Sequence, residues 1–225
     1  MNALLNAHTP RGRSRSTHVG LASNVLPEAQ RSQTGVSSDY VQKANHEWFV
    51  LRVTYNRTEK ACDIISTAKV QSYMPMHYVI KKEIGKKKRM LQPLLPNLFF
   101  VYATRETINS IIKKKGEETS VLKFYLDKTK PLEDNGKHPP LTIPFISMTN
   151  FIKATSTDSE HVRIVSSEQC HYKSGDIVKV IDGEFKGVTG RVARIAGQQR
   201  VVVEISGLCL VATAYIPTDF IKFIK

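Results

Sequence analysis

A chain of 225 residues, 41% hydrophobic and 24% charged, has the material for two small packed domains and the composition of an ordinary water-soluble protein. Its 33 Lys and Arg against 20 Asp and Glu leave a net charge of +13, which points to a polyanionic partner, nucleic acid first. No run approaches the roughly 20 apolar residues of a membrane span. Arg11, Arg13 and Arg15 are followed by no apolar block of secretory type, and Cys62, Cys170 and Cys209 form no CxxC pair, so a cytoplasmic protein without disulfides, metal or other cofactor is expected.

Residues 1–45 are rich in Ser, Asn, Gln, Thr and Arg and poor in apolar side chains, the composition of a flexible basic tail. The run Trp48–Thr54 predicts a strand, Tyr55–Thr58 a turn, and Ala61, Ile64, Ile65 and Ala68 a helix capped by Thr58. Tyr73–Lys81 alternates as one strand and Asn97–Tyr102 as another, with the cations Lys86, Lys87, Lys88 and Arg89 in the hairpin between them. Ile108, Ile111 and Ile112 mark a second helix that Gly116 ends, Val121–Leu126 a further strand, and Leu141–Ile152 a third helix with Pro144 in its first turn. The order β-α-β-β-α-β plus a helix suits an α+β domain over 46–154, a split βαβ (ferredoxin-like) antiparallel sheet with its helices on one face.

Residues 155–165 are polar and read as a linker. From 166 to 225 five β-rich runs, 177–181, 188–195, 200–205, 208–216 and 220–224, alternate with Gly-containing turns and imply a small SH3-like β-barrel. Within it stand Gly175-Asp176-Ile177-Val178-Lys179-Val180, Asp182-Gly183-Glu184-Phe185-Lys186-Gly187 and Gly190-Arg191-Val192. Glycines at 183, 187 and 190 permit turns or a close backbone approach that a side chain would block, while Val178, Val180 and Val192 fill the barrel.

This second set of residues resembles a KOW motif. Upstream, Trp48-Phe49-Val50-Leu51, Arg57-Thr58-Glu59-Lys60, the basic run 86–89 and Pro93-Leu94-Leu95-Pro96-Asn97-Leu98-Phe99-Phe100-Val101 follow one another as in the N-terminal (NGN) domain of NusG-type transcription factors. The resemblance covers 46–225. Arg52-Val53-Thr54-Tyr55, Met74-Pro75-Met76 and the Pro-Asn-Leu-Phe-Phe-Val strand look most like the specialised UpxY group of antiterminators and like RfaH.

The resemblance implies a non-enzymatic elongation and antitermination factor. Such a factor binds the clamp helices of RNA polymerase, suppresses pausing and termination, and serves long operons such as capsular or exopolysaccharide clusters. It places polymerase contacts at Leu95 and Leu98, for which the alternative is a role in the core. Lys86, Lys87, Lys88 and Arg89 are candidates for phosphates of upstream or non-template DNA, or else a solvated loop; Tyr55, Asn56 and Arg57 are candidates for exposed bases, or an ordinary turn. Gly183, Phe185 and Gly187 lie in the loop that the family uses to dock Rho or a small-subunit ribosomal protein, with a barrel plug as the alternative for Phe185. A monomer with no membrane contact is expected. The competing function is a ribosome-associated KOW protein that binds RNA, which leaves 46–152 unexplained; no nucleophile elbow, phosphate-binding glycine loop or HExxH supports an enzyme.

Overall fold

In the computed structural model, which describes residues 41–54, 57–83, 85–113, 121–157 and 161–224, alternation along Glu47–Val53 (β1) organises the first unit. It sends Trp48 and Val50 to one face of a sheet and Phe49, Leu51 and Val53 to the other, and all five are buried. β1 pairs antiparallel with Leu98–Ala103 (β5) on one side and with Leu122–Phe124 (β6) and Thr142–Ile143 (β7) on the other, and Gln71–Tyr73 (β2) pairs with the far edge of β5. The order β2-β5-β1-β6 is the expected split βαβ arrangement.

The helices Thr58–Thr67 (α1) and Arg105–Ile112 (α2) cover the Phe49 face with Ala61, Ile65, Ile108 and Ile111. The third helix, Phe145–Thr155 (α3), covers the opposite face: Met148, Phe151 and Ile152 pack among Trp48, Val50, Tyr73 and Phe100. Helices on one face thus holds for two of the three, because a strand apolar on both sides requires cover on both. Tyr73 fixes the far end of α3. The Thr155 hydroxyl donates to the Phe151 carbonyl, so at 2.7 Å the Tyr73 hydroxyl donates to Thr155.

Several boundaries move. Leu141–Ile152 is not one helix: Thr142 and Ile143 are held in β7 opposite Phe49 and Trp48, so α3 starts after Pro144 and runs on to Thr155, inside the expected linker. Thr58 does not cap α1; Arg57 stands at the N-cap with no side-chain cap. Tyr73–Lys81 is two strands. β2 ends at Tyr73, and Met76–Glu83 (β3) begins after Pro75, whose missing N–H ends one ladder before the next begins. β3 pairs with Lys86–Pro93 (β4) as a separate two-stranded ribbon, so the cations 86–89 lie in a strand and not in a connecting loop. The tail over 1–40, Tyr55 and Asn56 of the first turn, the helix stop at Gly116 and residues 158–160 of the linker lie outside the described residues.

The second unit is one antiparallel sheet of six strands, not five. Arg163–Val165 (β8), His171–Val180 (β9), Thr189–Ile195 (β10), Gln198–Ile205 (β11), Cys209–Tyr215 (β12) and Ile221–Phe223 (β13) lie in the order β13-β9-β10-β11-β12-β8. β8 falls within the expected linker and pairs with β12. Buried Arg200 ties its approach to the sheet, donating to the carbonyls of His161 at 3.0 Å and Thr213 at 2.6 Å and to Gln198 Oε1 at 2.7 Å. Bulges between Arg191 and Ala193 and between Arg200 and Val202 bend the sheet. Val178, Val180, Val192, Val201, Val203 and Val211 are buried in one cluster and Ala193, Ile195, Val202 and Ala212 in another, consistent with a KOW-type unit.

Glycine is required in this unit for two different reasons. Gly183 and Gly187 adopt φ of +78° and +88°, whereas a Cβ on Gly190 would lie 2.4 Å from the Val202 carbonyl oxygen.

The two units share a core through α3. Its face bearing Asn150, Lys153 and Ala154 turns toward the second sheet. Asn150 Oδ1 accepts from the Thr189 N–H at 2.7 Å, and its Nδ2 donates to the Thr189 carbonyl, as a strand neighbour would do. One continuous buried cluster therefore runs from Trp48 and Phe100, through Met148 and Phe151, to Val180, Val188 and Val203.

Candidate functional site

The segment from Leu94 to Leu98 turns the chain from the ribbon into the central sheet. Leu94 is buried and its N–H donates to the Pro75 carbonyl at 2.8 Å, while the Asn97 carbonyl accepts from the Val53 N–H at 2.8 Å. Between these two anchors Asn97 takes φ of +59°. Asparagine is among the few residues that occupy the left-handed region readily, so the Leu-Pro-Asn-Leu sequence retains the backbone freedom that a glycine would supply. Leu95 and Leu98 are half-buried, both packed against the core on the side of Phe100. Each is part core and part surface, and Pro96 between them is exposed.

The ribbon leaves this turn and extends away from the sheet. Its register places Tyr78 opposite Leu91, Ile80 opposite Arg89 and Lys82 opposite Lys87 on one face; Val79 opposite Met90 and Lys81 opposite Lys88 occupy the other. Burial falls along its length, from half-buried Met76, His77 and Tyr78 to exposed Ile80, Lys81, Lys82, Lys87, Lys88 and Arg89. The Arg89 guanidinium carbon sits 3.6 Å from the centre of the Tyr78 ring, which orients it along the ribbon. Partial burial lowers the pKa of His77 at the base, so that its imidazole is neutral near pH 7 and the ribbon's charge comes from its lysines and arginine. Among the described residues no carboxylate forms an ion pair with Lys81, Lys82, Lys87 or Lys88.

Lys81 and Lys82 belong to this constellation although the sequence reading stopped at 86–89. The signal was present: a Gly85 turn, with φ of +74°, folds one basic run back on the other. Of the other predicted residues, Tyr55 and Asn56 lie outside the described ones, and Arg57 is half-buried at the start of α1. The structure does not bring Gly183, Phe185 and Gly187 together as an exposed docking surface. Phe185 is only 5% exposed and part of the shared core, because the two positive-φ glycines fold the loop back and carry its ring inward; the plug is what is found.

Residues 46–136, spanning β1 to β6, match the family model described as transcription termination factor nusG. No curated protein matches the chain. Over these residues the first unit is similar to the NusG N-terminal-type domain, which supports a NusG-type factor acting in transcription. α3 and the second sheet lie beyond the matched residues.

Proposed function

We propose that this protein is an elongation and antitermination factor that binds the clamp helices of RNA polymerase through its first unit, with Leu95 and Leu98 in the contact. The observation that carries the reading is the Leu95–Leu98 turn. Two leucines are left half-exposed on a backbone pinned at both ends and set by the left-handed Asn97, which is the preorganised apolar anchor that a protein interface uses. Bound across the clamp, the factor favours the active over the paused polymerase only by its differential affinity for the two, about tenfold in population for each 1.4 kcal/mol. No chemistry is needed. Lys86, Lys87, Lys88 and Arg89 are assigned to DNA phosphates near the clamp, and Tyr55, Asn56 and Arg57 to non-template bases, on the resemblance alone. The resemblance of Arg52–Tyr55 and Met74–Met76 to the UpxY group supports a role on long operons such as capsular or exopolysaccharide clusters. Rho or a ribosomal protein docking on the second unit meets the rim of the 183–187 loop, since Phe185 is committed to the core.

The test is a pull-down on bacterial core RNA polymerase with the wild type, Leu95→Asp/Leu98→Asp and the milder Leu95→Ser/Leu98→Ser, each checked for an intact melting transition. Retention of the wild type and loss of a folded variant are expected. Failure of the wild type to bind overturns the reading, and binding to ribosomal RNA in its place favours a ribosome-associated role.

A further inference from the structure

Cations on a ribbon that lies flat on a polyanion need occupy one face only. Here they occupy both: Lys82 and Lys87 project from one face and Lys81 and Lys88 from the other, with each pair directly cross-strand. Like charges opposite one another weaken a two-stranded ribbon, and this ribbon carries two such rungs next to each other near its tip. A phosphate chain on each side relieves both rungs at once. Two phosphate chains with an open slot between them are the walls of a duplex groove.

We propose that the β3–β4 ribbon inserts tip-first into the major groove of duplex DNA, with Lys82 and Lys87 against one backbone and Lys81 and Lys88 against the other. This rests on the reading that the basic run contacts nucleic acid, and not on polymerase binding. The dimensions agree: strands of eight residues reach roughly 26 Å, and the B-form major groove, about 12 Å wide, admits a two-stranded ribbon. The deep, narrow major groove of an RNA duplex does not admit it, and a single strand offers one backbone to a ribbon with two charged faces. Stacked on Tyr78, Arg89 lies behind Lys82 and Lys87 on their face, where it extends the same row of contacts toward the base of the ribbon.

Fluorescence anisotropy of the full chain across a salt series, with a 20-base-pair DNA duplex, its single strand and an RNA duplex of the same sequence as probes, tests this. The variants are Lys81→Gln/Lys88→Gln and Lys82→Gln/Lys87→Gln. The DNA duplex binds tightest, and each double variant reduces the slope of log affinity against log salt by about 1.8, or about thirtyfold in affinity between 1 M and 0.15 M salt. Loss confined to one pair means contact by one face and overturns groove insertion. So does binding of the single strand or the RNA duplex as tight as that of duplex DNA, or binding that neither variant weakens. In every case retention on polymerase is read separately, so that failure here leaves the Leu95–Leu98 reading untouched.

Discussion

Asn150→Ala tests whether the two units stand or fall together. The substitution removes an amide that accepts from the Thr189 N–H at 2.7 Å and donates to the Thr189 carbonyl. Two hydrogen bonds at about 1 kcal/mol each, plus the penalty of leaving a half-buried peptide group of β10 without partners, give a loss of about 2–3 kcal/mol. With a urea m-value of roughly 2–3 kcal/mol/M for a chain of this size, the midpoint falls by about 1 M. Trp48, the one tryptophan of the chain, reports from the core of the first unit by its fluorescence, while pulse-labelled amide hydrogen exchange across β9–β12 reports from the second. Because a single buried cluster joins the two, both probes are expected to follow one transition and to shift together in the variant. A loss below about 0.5 kcal/mol, well under the lower bound for one unpaired peptide group, refutes the argument. A shift seen by one probe alone refutes it equally. Asn150→Asp keeps the acceptor and turns its second oxygen against the Thr189 carbonyl, so its stability recovers in part as the carboxylate is protonated in acid.

Gly190→Ala sets a Cβ 2.4 Å from the Val202 carbonyl oxygen and 2.8 Å from Val201 Cγ1; forced apart from β11, the sheet loses about 3 kcal/mol, measured by denaturant titration. Asp127 supplies a pH dependence. Hydrogen bonds from Thr129, its hydroxyl at 2.6 Å and its N–H at 3.1 Å, hold the carboxyl below its ordinary value, with Lys130 adding to the effect at 3.4 Å. A carboxyl lowered on folding stabilises above its unfolded pKa of about 3.9 and loses that stabilisation as pH falls through the folded value. The stability difference between the wild type and Asp127→Asn is therefore constant near neutrality and shrinks below about pH 4, which melting curves across pH 3–7 will show.

Strand order in the first sheet was legible because alternation and helical spacing point the same way in β1, α1, β5 and α2. The side on which α3 packs was legible too, in principle: Trp48-Phe49-Val50-Leu51 offers no polar face, and two helices cannot cover both sides of one sheet. Its second buried face was not. Asn150 has the look of a solvated helix residue, and only the bare peptide group of Thr189, distant in sequence, gives its amide a task. The ribbon is hidden in the sequence for a related reason. Lys86–Arg89 has no apolar alternation, so the local mark of a strand is Gly85 alone, which returns the chain onto β3. Phe185 was open between surface and core, and its fate was set by the direction in which Gly183 and Gly187 turn the loop, which composition does not encode.

A helix covered on both sides also constrains the order of events as the chain is made. When α3 has left the ribosome, its Met148 and Phe151 side already has a sheet to rest on, but the edge carrying Asn150 and Ala154 stays wet until Thr189 and the strands after it emerge. The first unit is complete in topology at that moment and incomplete in burial. For the same reason a truncation within 156–162 does not yield two finished halves: the upstream fragment carries a helix with one raw flank, prone to self-association, and expression of the first unit alone calls for polar replacements along that flank.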